Sequence, residues 1–177
     1  YSGGGRQMIE TFETRDEKNP DRLAVQDYGL TLMHKHVPEM QKYSGLSKAP
    51  IFLPSVANFY KGMIVRVPIA IEMLNQCSVD TVVNCLKQRY ENNQFIRIYD
   101  YNDQRALEDS RLNPVACNDT NFMDLMIFGN AKQIVLLARY DNLGKGAAGA
   151  AIQNLNLMLG LEEETGLWPT IYLICRL

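Results

Sequence analysis

The stretch that decides the fold reads Tyr140-Asp-Asn-Leu-Gly-Lys-Gly-Ala-Ala-Gly149, followed by Ala-Ala-Ile-Gln-Asn-Leu-Asn-Leu-Met-Leu-Gly160. An apolar run over residues 134–138 precedes it and is typical of a buried strand, although a short helical segment has the same pattern. Apolar residues after the glycines recur at helical spacing, and Gly160 stands where a left-handed residue closes a helix. We therefore predict a strand, a glycine-rich turn and a helix, with unpaired backbone N–H groups at the helix start.

The glycines of this turn match the letters of a dinucleotide-binding fingerprint, G-x-G-x-x-G, at Gly144, Gly146 and Gly149. That fingerprint needs an acidic residue about 20 positions further on, where it binds the ribose. Position 169 is Pro169, and the acidic cluster over residues 162–164 comes too early. The match therefore does not indicate a complete nucleotide-binding unit.

As a longer motif, Asp141 to Gly149 with the Ala-Ile-Gln-Asn-Leu-Asn-Leu run that ends at Leu157 closely resembles the C-terminal segment of N-acetyl-γ-glutamyl-phosphate reductases. These are arginine-biosynthesis enzymes of the glyceraldehyde-3-phosphate-dehydrogenase-like superfamily. Ala150 stands where that family usually has Gln, so a contact made by that Gln is missing here. Aspartate-semialdehyde dehydrogenases share the first part of the motif without the tail, and the tail favours the first family.

The composition sets limits on the class of protein. The chain has 177 residues, 46% hydrophobic and 21% charged, with a formal net charge of −2, which is typical of a soluble globular domain with one core. This charge argues against nucleic acid or an anionic membrane as the main partner, and no segment has 18 consecutive apolar residues. Four scattered cysteines without a C-x-x-C pair predict reduced thiols in the cytoplasm. The chain begins inside a glycine turn without Met, so we expect it to belong to a longer protein.

Both histidines of the chain lie in His34-Lys-His36, at the end of a segment over residues 23–36 whose alternation predicts a strand. From the residues alone three interpretations stay open. They are polar residues at a strand end, metal ligands near Glu39, or general acid/base groups, because an imidazole titrates near neutral pH. Metal ligation lacks a third and fourth ligand at suitable spacing, and we expect no metal site.

The reductase resemblance extends to this segment, because His-x-His-x-Pro-Glu is a recurrent motif of that family with a Tyr six residues before the first His. Tyr28 occupies that place. The resemblance implies that His34, His36 and Tyr28 are catalytic-site residues and that Glu39 binds substrate.

The first residues, Gly3-Gly-Gly-Arg6, resemble a Ser-Gly-x-x-Gly-Arg-like stretch that follows the nucleotide-binding half of the reductases. The resemblance implies that Gly4 and Arg6 bind substrate, with Arg6 at an anionic part, which a guanidinium suits. A hinge loop with a surface arginine is the alternative.

The rest of the chain predicts an α+β fold: a mixed, largely antiparallel sheet of roughly six to eight strands with helices packed on one face, as in glyceraldehyde-3-phosphate dehydrogenase-like C-terminal domains. We expect the opposite face to receive a two-fold partner. Pro68 places its strand at an edge or at a bulge, and Ser78 caps a helix that covers the sheet. The predicted segments are an extended run over 51–73, a helix over 78–90, strands over 95–99 and 170–175, a loop over 100–121 and a hairpin over 122–128 and 133–139.

The resemblance also implies a reaction, in which a cysteine thiolate attacks an acyl phosphate and NADPH reduces the thioester. The family's cysteine lies in a Gly-Cys-Tyr-x-Thr-like context, and none of Cys77, Cys85, Cys117 and Cys175 does. We therefore expect a single catalytic, substrate-binding and dimerisation domain over residues 1–177, inactive alone, whose partners are its own N-terminal Rossmann domain and a second copy in a dimer or tetramer.

The resemblance implies that NADP is bound mainly by the absent Rossmann domain, while the glycine turn approaches the nicotinamide through Asn142, Lys145, Gly146 and Gly149. A purely structural turn is the alternative for those residues. For the whole protein the alternatives are a reductase of aspartyl phosphate or of carrier-bound aminoadipyl phosphate, and a non-catalytic dimerisation module of the same fold.

Overall fold

The computed structural model describes residues 25–74 and 77–167, and they divide into two compact units between Tyr60 and Lys61. The predictions for Gly4, Arg6 and Cys175 and for a strand over 170–175 lie outside the described residues. The prediction of a single domain over 1–177 stays a prediction.

The described residues of the first unit form two short strands and one helix: β1 (Val25–Asp27), α1 (Val37–Ser44) and β2 (Ser55–Ala57). The strands pair antiparallel. Helix α1 has Pro38 in its first turn and ends at Gly45, whose φ of 71° is left-handed, as expected for helix termini.

The strand predicted over residues 23–36 is wrong beyond Asp27, because the chain turns before the histidines. Gly29 and Leu32 both have positive φ, 65° and 60°, and the Leu32 N–H donates to the Gly29 carbonyl at 2.9 Å. A left-handed residue cannot continue a strand, so the alternation of apolar residues here does not mark one sheet face.

In the second unit the described residues form a four-stranded sheet of β3 (Met63–Ala70), β4 (Ile96–Ile98), β5 (Met123–Gly129) and β6 (Gln133–Tyr140). The strand order is β3-β6-β5-β4. All neighbours are antiparallel except β4 and β5, so the predicted mixed, largely antiparallel sheet of an α+β fold is confirmed. The described residues divide their strands between two sheets instead of one, because β1 and β2 pair only with each other.

Strand β3 lies at one end of this strand order, within the described part of the chain. Pro68 pairs opposite Val135, and a residue without an N–H is tolerated at an edge, so the edge position predicted from Pro68 is confirmed. The predicted extended run over 51–73 is interrupted between β2 and β3 and ends in a 3₁₀ turn over Ile71–Leu74.

One face of the sheet is covered by α2 (Val79–Tyr90), which buries Val83 against Ile127 and Ile134. The Ser78 hydroxyl accepts a hydrogen bond from the Thr81 N–H at 3.1 Å and caps the helix, as predicted. The opposite face is covered by the irregular segment over 99–112, around Ala106 and Met126.

We expected the apolar residues that receive a partner to lie on the face opposite the helix. The exposed apolar residues of β3 lie on the other face. Val65 and Val67 are 41% and 47% exposed. They alternate in phase with Ile69, which packs under α2, so they belong to the helix-covered face and lie beyond the reach of the helix.

Strands β5 and β6 form the predicted hairpin, and β6 leads into the predicted turn and helix. A Cβ at Gly129, which has φ 153°, would clash with the Gln133 carbonyl oxygen, so the hairpin requires glycine there. After β6 the chain makes a π-helical turn over Gly144–Ala148 and then α3 (Gly149–Leu159). Gly160 closes α3 with φ 68°, as predicted.

Helix α3 carries a long exposed apolar surface. Its exposed members are Ile152, Leu155, Leu157, Met158 and Leu159, with Met158 82% exposed. Surfaces of this kind mark contact sites with other protein surfaces. None of the helices that the structure describes is long and apolar enough to cross a membrane.

Candidate functional site

The first unit brings together the three residues predicted to be catalytic. The rings of His34 and His36 lie edge to face with centroids 4.9 Å apart, and the Tyr28 ring lies 5.9 Å from that of His34. Phe52 adds an apolar edge contact to His34 at 5.1 Å. His34 is half-buried and His36 is exposed, so the pair combines one restrained imidazole with one that solvent reaches.

The backbone around the pair orients the rings. The His36 N–H donates to His34 Nδ1 at 3.3 Å, so in the neutral ring the proton sits on Nε2. The His34 and His36 carbonyls accept the Val37 and Met40 N–H groups at 3.0 and 2.9 Å, which places both histidines at the entry to α1. Glu39 lies in the first turn of that helix and is exposed.

Two hydrogen bonds to the chain around β2 hold the segment that precedes the histidines. The Tyr28 N–H donates to the Pro54 carbonyl at 3.0 Å, and the Ser55 hydroxyl donates to Asp27 Oδ1 at 2.5 Å. Ser55 thus joins β2 to β1, the two strands that flank the histidine segment.

The second unit carries the glycine turn, and Asp141 caps it. Asp141 Oδ1 accepts the N–H groups of Leu143 and Gly144, both at 2.9 Å. The expectation of unpaired N–H groups at the start of this turn is wrong for these two amides, because the preceding carboxylate satisfies them. The next turn is π-helical, with the Gly146 N–H on the Asp141 carbonyl at 2.9 Å, a geometry that is frequent at functional sites.

Asn142 connects the turn to the start of β3. It is 8% exposed, and its Oδ1 accepts the Gly62 N–H at 2.7 Å. A Cβ at Gly62 would meet the Pro114 carbonyl oxygen at 2.6 Å, so glycine is required for this close approach. With the Asn142 oxygen used by the protein, the amide offers its Nδ2 as a donor.

The other three residues predicted to bind cofactor lie in the same turn and have packing contacts. A Cβ at Gly146 would meet the Tyr140 ring at 3.1 Å, and one at Gly149 would clash with Asn121 Oδ1. Lys145 Nζ donates to Gln153 Oε1 at 2.6 Å, and burial lowers the pKa of this lysine. Their part in cofactor binding stays a prediction.

A buried ionic cluster that the sequence did not reveal lies on the face covered by the 99–112 segment. Asp124 is fully buried and binds Arg97 Nε at 2.6 Å and Arg139 Nη2 at 2.7 Å. The Cys117 thiol donates to Asp124 Oδ2 at 3.2 Å. Burial and the neighbouring carboxylate raise the pKa of Cys117 to about 11, so at neutral pH it is a thiol and not a nucleophile.

The other cysteines that the structure describes, Cys77 and Cys85, are exposed and make no disulfide. Across residues 25–74 and 77–167, no group of three or more His, Cys, Asp or Glu side chains is arranged to hold a metal ion. The described side chains suited to chemistry are the imidazoles of the first unit and the side-chain amide of Asn142 in the glycine turn.

The candidate residues thus form two groups, one in each unit. The sequence indicated Tyr28, His34 and His36 in the first, but it did not indicate Asp141 in the second or Lys61, whose Nζ lies 3.3 Å from Asp141 Oδ2. A local signal for Asp141 was available, because an Asp side chain commonly accepts the backbone N–H groups two and three residues after it in a turn. The contact with Lys61 joins residues far apart in the chain and left no such signal.

Comparison with known proteins identifies a family and several relatives that this chain resembles. The family described as "Semialdehyde dehydrogenase, dimerisation domain" matches residues 1–142. N-acetyl-gamma-glutamyl-phosphate reductase 2 of Nostoc sp. is 42% identical over 176 residues, which cover 94% of this chain and 54% of that protein. N-acetyl-gamma-glutamyl-phosphate reductases of Burkholderia lata and Rhizobium etli are each 42% identical, over 92% and 90% of this chain and 51% and 52% of their own length. The chain spans about half the length of the curated relatives that it matches.

Proposed function

The chain belongs to the semialdehyde dehydrogenase dimerisation-domain family, and from this premise we propose that it is part of an NADPH-dependent reductase of N-acetyl-γ-glutamyl phosphate. The products are N-acetylglutamate semialdehyde and phosphate, in the cytoplasmic synthesis of arginine. The observation that carries the proposal is the pairing of His34 with His36 beside Tyr28, at ring distances of 4.9 and 5.9 Å. The identity of about 40% to reductases over most of the chain supports the choice of substrate.

In this proposal the imidazoles serve a sulfur supplied by residues outside this chain. A cysteine thiolate attacks the acyl carbon, the C–O bond to phosphate breaks, and a thioester forms. One imidazole keeps the sulfur ionised, and an imidazolium protonates the developing alkoxide after reduction. The same imidazole then takes that proton back as the hemithioacetal collapses, so the C–S bond breaks, the carbonyl of the aldehyde forms and the sulfur leaves as thiolate. His34 is suited to proton transfer because its Nδ1 accepts the His36 N–H and its Nε2 carries the exchangeable proton.

NADPH, when bound, supplies the hydride that reduces the acyl carbon. The residues of the glycine turn fit its nicotinamide, because Asn142 has its oxygen engaged by Gly62 and presents an amide donor suited to a carboxamide oxygen. Lys145, Gly146 and Gly149 shape that turn. We infer that most of the cofactor site lies on an N-terminal Rossmann domain of the full-length protein, and that this chain alone is inactive.

The proposed assembly is a homodimer or a pair of dimers. Val65 and Val67 on the edge strand β3 are exposed and apolar, which suits contact with the same strand of a second copy related by two-fold symmetry. Arg6, Gly4 and Glu39 are proposed to bind the substrate, with Arg6 at its anionic part.

The test is a kinetic comparison in the full-length protein. His34→Asn and His36→Asn keep a polar side chain of similar reach, and loss of an acid/base group lowers kcat by about 10² or more. Lys35→Gln, an exposed residue between the two histidines, is the matched control and is expected to retain the wild-type kcat. Unchanged turnover in both histidine variants would remove the catalytic assignment.

The same assay separates the substrates. Turnover of the wild-type protein is measured with N-acetyl-γ-glutamyl, aspartyl and carrier-bound aminoadipyl phosphates, and we expect the highest kcat/KM with the first. A higher value with another acyl phosphate would identify a related reductase. No turnover with any of them would favour a non-catalytic dimerisation module.

A further inference from the structure

We propose that Asp141 is a positioning residue, which holds the Asn142–Gly149 turn in the conformation that receives the nicotinamide cofactor. This inference rests on the proposed function, since it concerns the cofactor of that reaction. Asp141 is 1% exposed, so it acts through the turn and does not touch a ligand itself.

The geometry shows one carboxylate binding three backbone donors. Oδ1 accepts the N–H groups of Leu143 and Gly144, and Oδ2 accepts the N–H of Asp119, all at 2.9 Å. Charged acceptors make hydrogen bonds about twice as strong as neutral ones. Asp141 therefore fixes two successive amides of the turn against a loop that precedes them by more than 20 residues.

Lys61 balances the charge of this buried carboxylate. Its Nζ lies 3.3 Å from Asp141 Oδ2 and 2.5 Å from Asp119 Oδ1. Burial opposes ionisation of Asp141, but the backbone donors and Lys61 together hold its pKa below the ordinary value. The carboxylate is thus charged at neutral pH, as its acceptor role requires.

The same contacts join three segments at one end of the sheet. Lys61 and Gly62 precede β3, and the Lys61 carbonyl accepts the Asn118 Nδ2 at 2.9 Å. Gly62 in turn donates to Asn142 Oδ1 at 2.7 Å. Asp141 is the centre of this arrangement, and it determines where the Asn142 amide is held relative to the end of β6.

The experiment compares variants of the full-length protein. Asp141→Asn keeps an oxygen for the two turn amides, but its NH₂ group cannot accept from Asp119 and does not balance Lys61. Lys61→Met removes the counter-charge and leaves the carboxylate in place. Asp100→Asn is the matched control, because it removes a carboxylate from an exposed ion pair with Lys87 at 2.6 Å, away from the turn.

Two quantities are measured at a temperature where each variant is folded by circular dichroism. The first is the Kd of NADPH, measured by fluorescence titration. We expect this Kd to rise about tenfold or more in Asp141→Asn, because small displacements of a positioning group lower affinity steeply. We expect a smaller rise in Lys61→Met and no change in Asp100→Asn. The second is backbone amide exchange, which is expected to quicken at Leu143, Gly144 and Asp119 only.

The outcomes separate the two proposals. Wild-type NADPH affinity in Asp141→Asn, with or without faster exchange, would overturn the positioning role and leave the reductase proposal in place. Failure of the wild-type protein to bind NADPH would overturn the proposed function. In that case, unchanged amide exchange in Asp141→Asn would also overturn the claim that Asp141 holds the turn. Faster exchange at the turn amides in this variant would support that claim.

Discussion

Asn142 Oδ1 lies 2.7 Å from the backbone nitrogen of Gly62, a residue 80 positions earlier in the chain. This contact adds to the ladder between β3 and β6 and fixes the orientation of the Asn142 amide. The structural contact uses Oδ1, whereas the proposed cofactor contact would use Nδ2, so variants can separate the two.

Replacing Asn142 by Ala is expected to lower the free energy of unfolding by about 1–3 kcal/mol, because the buried Gly62 N–H loses its acceptor. Asn142→Asp keeps an acceptor for that N–H and is expected to destabilise less. Urea denaturation of both variants measures the difference. Equal losses in the two variants would mean that the Gly62 bond contributes little.

Adding a methyl group at Gly149 is expected to destabilise the protein by about 1–3 kcal/mol, the usual range for overpacking. A Cβ there would clash with Asn121 Oδ1 and lie 2.9 Å from the backbone of Gly144. Gly146→Ala is the matched control in the same turn, since its Cβ would approach the Tyr140 ring at 3.1 Å and the Asp141 carbonyl oxygen at 3.6 Å without a clash below 3.0 Å. Thermal unfolding compares the two, and a larger loss for Gly146→Ala would contradict this account.

Arg139→Met is expected to cost about 3–5 kcal/mol of stability, because it leaves the buried Asp124 carboxylate with Arg97 as its remaining cation. Arg139 Nη2 lies 2.7 Å from that carboxylate, and both side chains are buried. Lys87→Met breaks an exposed ion pair with Asp100 and is expected to cost less than about 1 kcal/mol. Similar losses in urea denaturation would show that burial does not distinguish the pairs.

Acid is expected to destabilise the second unit through Asp103. The hydrogen bonds from Arg105, opposed by burial, lower the pKa of Asp103 from 3.8 to about 2. A carboxyl whose pKa is lower in the folded state stabilises the fold above its unfolded pKa, and this contribution is lost as the pH falls from about 4 to 2. Asp103→Asn should flatten the decline in unfolding free energy over that range, whereas Asp109→Asn, at an exposed site nearby, should leave its slope unchanged.

Val67→Arg is expected to weaken the proposed dimer of the full-length protein by about 2 kcal/mol or more, because a contact between two copies would bury an unpaired guanidinium. Arg66→Gln is the control, since Arg66 is exposed on the other face of β3. Light scattering across a dilution series measures the shift. A dimer that tolerates arginine at position 67 would place the interface elsewhere.

The parts of the fold that were predictable are those specified by short-range chemistry. Ser78 accepts the Thr81 N–H, Gly160 takes the left-handed conformation, and the β5–β6 hairpin reverses after Gly129, because each depends on residues only a few positions away. The clustering of Tyr28 with the two histidines was likewise indicated by a compact motif, although the residues lie in a turn and not in a strand. The predicted strand fails there because Leu32 is left-handed, and an apolar side chain gives no sequence signal for a positive φ.

What was not predictable depends on strand register. Asp124 pairs opposite Arg139 only because β5 and β6 align as they do, and Arg97 reaches the same carboxylate across the parallel pair β4 and β5. The contact of Lys61 with Asp141 has the same origin, since Met63 and Tyr140 are register partners at the end of β3 and β6. A one-residue slip in any of these ladders would turn the charged groups to the other face, and no local pattern fixes that choice.

The apolar side of α3, with Leu155, Met158 and Leu159 at the surface, determines how such measurements should be made. In water this chain alone would expose an apolar stripe along α3, and copies of it are expected to associate through that stripe. Sedimentation or scattering data from this chain alone would then report association through α3 and would not identify the proposed dimer contact at β3.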